Sequence, residues 1–501
     1  MAPKKAEISE ITGKPKIVRR DNGREEAKSQ ATMTKEEWLK FRTDEYAKKW
    51  PIPDYMHEQP AVRHVRDGGE GAYRDQTYMI VTRWTEKTRI QYRPHAKAPG
   101  SKSHVRYEKY SKAKTIGEAL KLGSYPLDWC FDYEHGFIKV SGGEIRDEPI
   151  DPTTCPDLKK LTDVDNCLLQ WYRRELAKKY GLKPQDLICE GEPMMLRAHR
   201  LQANSQAEKV LGSADQEKRL ISDEEVESVL SLWGFARNVT RQNVLPKDRE
   251  WVWSDTIGLL RDRMGDIHLT KPTIRYPAVC QVLNQWLTHR LPKEVGSFKF
   301  TTLNLNKNYA ATRHRDGNNF GPSMIKGFGD FEQGELHVFP SDDRAITDLA
   351  KLPQSDRVTV DIRKNLVMFN GNSAHEVSDF VGNRFSVVYF TVGCHSQMSD
   401  DCRKDLAAMG FSVPDVDEDP TSILAAPPGY KRPVASPAAT TSAAFKRADK
   451  KTLRIWPIAS LNSRGRPANA KSLKRVTANS DGGRGAKKQV MKMLLKKPAR
   501  A

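Results

Sequence analysis

At residue 297 the hydrophobic pattern of this chain changes period, and that change limits the folds open to it. Upstream, apolar residues recur at helical spacing. Leu169, Tyr172, Leu176 and Tyr180 form one such face, with Gly181 at the position of a C-cap glycine. Ser222 to Glu225 reads as a capping box ahead of Val226, Val229, Leu230 and Trp233. Val279, Val282, Leu283, Trp286 and Leu287 mark a further amphipathic helix, stopped by Pro292. Downstream, short strand-like runs take over: 298–305, 335–339, 358–362, 365–369 and 384–392. Clusters of Gly, Asn and Asp separate them, as in a β-sandwich or jelly roll.

The expected class is therefore α+β. Residues 1–34 read as a disordered segment and 35–150 as a small basic α+β region. Within the latter, a helix is expected near 35–48, and residues 76–93, as in Tyr78 to Thr82, read as one or two strands. Residues 151–296 read as a helical region supporting the β-rich core, with an exposed linker at 205–221. The core spans 297–413, and Ser399 is placed to cap a helix at 400–410. Residues 414–501, rich in Pro, Ala, Ser and Lys, read as a basic disordered tail.

Three features of the β-rich region belong together. His314-Arg315-Asp316 places an imidazole and a carboxylate two residues apart. On an extended segment they point to one side, roughly 6.5–7 Å apart along the chain, within reach of a common metal. His375 follows the strand 365–369 and a turn-like Asn370-Gly371-Asn372. Two histidines and one carboxylate make the facial triad of non-haem iron(II) oxygenases, which leaves coordination positions open. Arg384-Phe385-Ser386 comes nine residues after His375. On a strand, Arg384 and Ser386 share a face, where a guanidinium can grip a carboxylate with two parallel hydrogen bonds and a hydroxyl can add a third.

The order HxD, H, RxS across 297–395 resembles the 2-oxoglutarate/iron(II) dioxygenases built on a double-stranded β-helix. The resemblance implies Fe(2+) held by His314, Asp316 and His375, 2-oxoglutarate held by Arg384 and Ser386, and dioxygen as co-substrate. It implies C–H hydroxylation coupled to decarboxylation of 2-oxoglutarate to succinate. Asn306 to Asp330 further resembles the branch of the ten-eleven-translocation and base J thymine hydroxylases, although Gln333-Gly334 stands where many relatives have Gly-Gly. AlkB-type repair enzymes carry a second arginine where this chain has Phe390, and collagen-type prolyl hydroxylases a lysine where it has Arg384. Tyr309 is a candidate co-substrate contact, with a strand-end role as the alternative. Asn318 and Asn319 are candidates for the substrate pocket, with turn chemistry as the alternative.

Charge bears on the substrate. Of the net +19, residues 431–501 contribute +17, with 19 Lys and Arg against Asp449 and Asp481. Such a tail suits phosphate contacts through counterion release, and Lys446-Arg447 with Lys450-Lys451 suits nuclear import. The stretch 83–114 interleaves basic residues with Trp84, Tyr92, Tyr107 and Tyr110, which suits phosphate contacts plus base stacking, with a solvated surface over core aromatics as the alternative. A nucleic-acid base, with a pyrimidine methyl group as target, is the expected substrate. A protein side-chain hydroxylase and a non-catalytic chromatin-binding protein are the rivals. No apolar run approaches the ~18 residues that span a bilayer. Seven dispersed cysteines without a CxxC pair fit a reduced, intracellular and nuclear setting.

Overall fold

The computed structural model describes residues 33–57, 73–153, 160–247, 249–416, 418, 423–425 and 451–462. The chain forms two compact units, Met1–Ala198 and His199–Ala501. Of the segments expected to be disordered, 1–34 and 414–501, residues 1–32, 417, 419–422, 426–450 and 463–501 lie outside the described residues.

The first unit is built on an antiparallel pair, β1 (Trp84–Tyr92) and β2 (Ile138–Ile145). Helices at Lys102–Tyr110, Ile116–Lys121, Pro126–Glu134 and Asp163–Lys179 accompany it. The helix expected near 35–48 is present as two, Lys35–Leu39 and Asp44–Lys49. Of residues 76–93, expected as one or two strands, Trp84–Tyr92 is strand, but 76–81 belong to the helix Asp75–Val81, which buries Thr77, Tyr78 and Val81 on one face and is capped by Thr82. Burial at i, i+1 and i+4 overrides the β-branched preference of the local residues. Trp84, Tyr92, Tyr107 and Tyr110 are 0–7% exposed and pack in one core with Trp129 and Ile138. They therefore present no stacking platform, and the expected nucleic-acid role of 83–114 loses its aromatic half. Two of its cations are also committed internally, Lys97 to Asp132 and Arg106 to Asp128.

The second unit holds the remaining strands. Residues 237–269, expected within a helical region, supply β3 (Arg237–Asn238), β4 (Val252–Arg261) and β5 (Ile267–Leu269). The region expected as strands supplies β6 (Thr302–Lys307), β7 (Ser323–Phe328), β8 (Phe331–Gln333), β9 (Leu336–Val338), β10 (Val358–Val360), β11 (Asn365–Phe369), β12 (His375–Val377), β13 (Phe380–Gly382) and β14 (Phe385–Phe390). The last strand, β15 (Leu453–Pro457), comes from the tail expected to be disordered.

These strands form a large antiparallel sheet in the order β15-β11-β7-β14-β6-β4-β3, with β5 on β4. A three-stranded sheet, β10-β9-β12, and a pair, β13-β8, complete the set. Ile325, Val367 and Phe369 of the large sheet pack with Leu336, Val338 and Val360 of the small one. On its other face the large sheet packs on the helix Pro277–Thr288, whose Val282, Leu283, Trp286 and Leu287 are fully buried. The helix Asp223–Leu232 carries the expected capping box, Ser222 with Glu225. Residues 205–221 are no linker: most belong to the helix Met194–Glu217, which buries Ala203, Ala207, Val210 and Ala214. Within the tail, β15 pairs with all five residues of β11, and Ile458 and Leu461 join the core behind it.

Candidate metal centre

The chemistry-bearing residues sit where the two sheets meet. His314 lies outside any strand but forms an antiparallel bridge with His375 at the start of β12, each backbone N–H donating to the other's carbonyl at 2.9 Å. Residues directly opposite one another bring their side chains together, and the two imidazoles stand 4.2 Å apart, centroid to centroid. Asp316, two residues on, donates its backbone N–H to the Gly371 carbonyl at 2.8 Å. His314, Asp316 and His375 each offer a ligand atom, all within 4.8 Å of one another.

Each histidine has its tautomer set by its own segment. The Nδ1 of His314 lies 2.7 Å from the Thr312 carbonyl, and that of His375 lies 2.9 Å from the Ser373 carbonyl. A carbonyl only accepts, so Nδ1 carries a proton in each ring and Nε2 is the nitrogen left to ligate a metal. Burial, and after it the neighbouring His375, pushes the His314 pKa down to about 3, so that imidazole is neutral at pH 7. The Asp316 carboxylate is oriented by Asn319, whose Nδ2 donates to Oδ2 at 2.8 Å.

The arginines flanking His314 tie the two ligand-bearing segments together. Arg313 makes a two-point contact with Glu376, at 3.1 and 2.8 Å. Arg315 grips Asp342 at 2.7 and 2.5 Å, and Asp342 also accepts the Ala374 backbone N–H at 2.8 Å. Paired, charge-assisted bonds of this kind fix geometry as well as adding energy. The set therefore fits a divalent ion: two imidazole nitrogens, one carboxylate and a rigid mount on both sides.

One cavity joins this cluster to Arg384, Ser386 and Tyr309. Arg384 is 2% exposed, and its Nε and Nη2 have no hydrogen-bond partner among the described residues. Burial pushes its pKa down to about 10, with Tyr309 opposing. The guanidinium stands 5.5 Å from the Phe331 ring and 5.6 Å from Phe380. Gly334 makes room for it, since a Cβ there would lie 3.0 Å from Nε. Asn308, in left-handed conformation at φ 51°, accepts the Arg384 backbone N–H at 2.7 Å. Tyr309 donates its hydroxyl to Asn306 Oδ1 at 2.7 Å, and Asn306 Nδ2 donates to Ser386 Oγ at 3.3 Å.

The structure thus brings His314, Asp316, His375, Arg384, Ser386 and Tyr309 to one cavity. It does not bring Asn318 or Asn319 into the lining. Asn318 is exposed, and Asn319 is buried as the holder of Asp316. Sequence reasoning missed Arg241, Asn304 and the apolar walls Ile325, Leu336, Phe369 and Val388.

No family model and no curated protein matches the chain. Among solved structures it is similar to one described as NgTET1 in complex with 5mC DNA, at 16% identity and a TM-score of 0.20, over 28% of this chain and 60% of that one. It is similar too to an oxidoreductase of the 2OG-Fe(II) oxygenase family from Burkholderia pseudomallei, at 14% identity and a TM-score of 0.21, over 33% of this chain and 77% of that one. The chain thus spans three-fifths of the length of the first.

Proposed function

We propose that this chain is an iron(II)- and 2-oxoglutarate-dependent oxygenase whose two facing sheets act as a double-stranded β-helix, residues 297–413 forming its core. The observation that carries the reading is Arg384. A buried guanidinium with two unpartnered nitrogens is costly unless an anion completes it. It lies in the cavity that holds a His-Asp-His cluster. A small dicarboxylate with a chelating end satisfies both needs.

His314, Asp316 and His375 would hold the ferrous ion, leaving positions open for the keto acid and dioxygen. Arg384 and Ser386 would take the far carboxylate, and Tyr309 with Asn306 would orient that end. When bound, iron would let dioxygen be split between two acceptors, one oxygen atom entering the substrate C–H bond as hydroxyl and the other entering succinate as 2-oxoglutarate loses CO2. The protein positions the substrate and limits access of water. Succinate formation from 2-oxoglutarate, with iron and ascorbate, tests this. We expect turnover in the wild type and none in His314→Ala; equal background in both would overturn the reading.

The preferred substrate is a nucleic-acid base, a pyrimidine methyl group in particular, with the chain acting in the nucleus. Support comes from the tail: residues 463–501 alone carry twelve Lys and Arg against Asp481. Oligonucleotides containing thymine or 5-methylcytosine, and peptide pools in parallel, should be read by mass. An oxidised nucleoside is expected. A hydroxylated peptide with no oxidised nucleoside would transfer the assignment to protein hydroxylation.

A further inference from the structure

Arg241 is the charged cavity residue that the reading above leaves without a task. It precedes the short helical turn Gln242–Val244 and is half-buried. It lines the same cavity as His314, Asp316, His375 and Arg384. Its Nη1 donates to Ser254 Oγ at 3.2 Å and, at 3.4 Å, to Asn306 Oδ1. Both partners are neutral, and among the described residues Arg241 meets no carboxylate. The one carboxylate of the lining, Asp316, belongs to the metal cluster.

The sheet register shows how the two arginines are arranged. Ser254 on β4, Asn306 on β6 and Ser386 on β14 are direct cross-strand neighbours. Ser254 donates to Asn306 Oδ1 at 2.9 Å, and Asn306 donates to Ser386. The result is a polar row across three strands, its ends two inter-strand spacings, or about 9.5 Å, apart. Arg241 stands at the Ser254 end. Arg384 lies two residues from Ser386 at the other.

We infer that Arg241 is a second anion-binding residue of this cavity, taking the keto-acid carboxylate while Arg384 takes the far one, so that the chain selects α,ω-dicarboxylates by two guanidinium contacts. This rests on the 2-oxoglutarate reading and sharpens it. The keto-acid carboxylate then has a protein contact of its own beside the metal.

The test is calorimetric titration of the full-length, Mn2+-loaded chain with three ligands. These are 2-oxoglutarate; 2-oxopentanoate, which lacks the far carboxylate; and 4-oxopentanoate, which lacks the keto-acid carboxylate. Arg241→Gln should weaken 2-oxoglutarate and 2-oxopentanoate by about tenfold or more, the range of a hydrogen bond to a charged group, and leave 4-oxopentanoate within about twofold. Arg384→Gln should weaken 2-oxoglutarate and 4-oxopentanoate and spare 2-oxopentanoate. If Arg241→Gln changes none of the three, or weakens all three alike, the inference is overturned while the role of Arg384 stands. If Arg384→Gln fails to weaken 4-oxopentanoate, the 2-oxoglutarate reading falls, and this inference with it.

Discussion

Gly371 gives the sharpest probe of the metal cluster. It carries the carbonyl that receives the Asp316 N–H, and it has no side chain between itself and the Asp316 carboxylate. A methyl group there would lie 2.5 Å from Asp316 Oδ2, 2.8 Å from Asn319 Nδ2 and 3.3 Å from Asp316 Cγ. Ordinary non-bonded contact needs about 3.5 Å, so Gly371→Ala must displace the carboxylate by about 1 Å and disturb its bond from Asn319. The φ of Gly371 is not positive, so alanine brings no backbone strain. Asp316 is only half-buried, so a shift of its carboxylate disturbs little of the core. The metal-free chain should therefore lose no more than about 1 kcal/mol, the low end of overpacking costs. Disturbing the orientation of a ligand typically costs 10–100-fold in metal affinity, or about 1.4–2.7 kcal/mol. Anaerobic calorimetric titration with Fe2+ should show that loss, with thermal melting of the metal-free protein nearly unchanged. Wild-type metal affinity in Gly371→Ala would refute the placement of Asp316 in the cluster.

Three further outcomes follow from the same geometry. Arg384→Met should abolish 2-oxoglutarate binding yet raise the melting temperature of the ligand-free chain, because it removes a buried, unpaired charge whose desolvation costs roughly 3 kcal/mol; a lower melting temperature would contradict this. His314 is held neutral when folded, with a pKa of about 3. The unfolded chain therefore binds the extra proton first, and metal-free stability should fall as pH drops from about 6.5 toward 3, by up to about 1.4 kcal/mol per unit. His314→Gln should flatten that slope in urea titrations, and an unchanged slope would count against it. Truncation after residue 450 should destabilise the protein by removing β15, whereas truncation after 462 should keep the melting temperature and flatten the salt dependence of DNA binding; equal melting temperatures would contradict the first part, an unchanged salt slope the second.

The site was legible where its residues lie close in sequence. HxD and RxS are spacings of two on extended backbone, and His375 follows a strand that the sequence itself marks. Arg241 was not legible, because it comes from an irregular stretch 73 residues before His314 and reaches the cavity only through the register of β4 against β6. Asp342 and Gly371 act through contacts that the fold alone creates. The helix over 205–217 escaped notice because its buried face is mostly alanine: Ala203, Ala207 and Ala214, with Val210. The strand Leu453–Pro457 is five residues long and set among Lys, Ala and Ser. Its partner β11 supplies the pairing that composition cannot reveal. The rings of 83–114 were visible as aromatic, but not as buried. A β1 strand and a helix at Lys102–Tyr110 turn them inward together.

Anomalous diffraction at the iron edge, from crystals grown anaerobically with Fe2+ and 2-oxoglutarate, tests the centre most directly. One strong peak is expected about 2 Å from His314 Nε2, His375 Nε2 and an Asp316 oxygen, with a 2-oxoglutarate carboxylate against Arg384. A peak elsewhere, or His314 and His375 bonded to no metal at full iron loading, would contradict it.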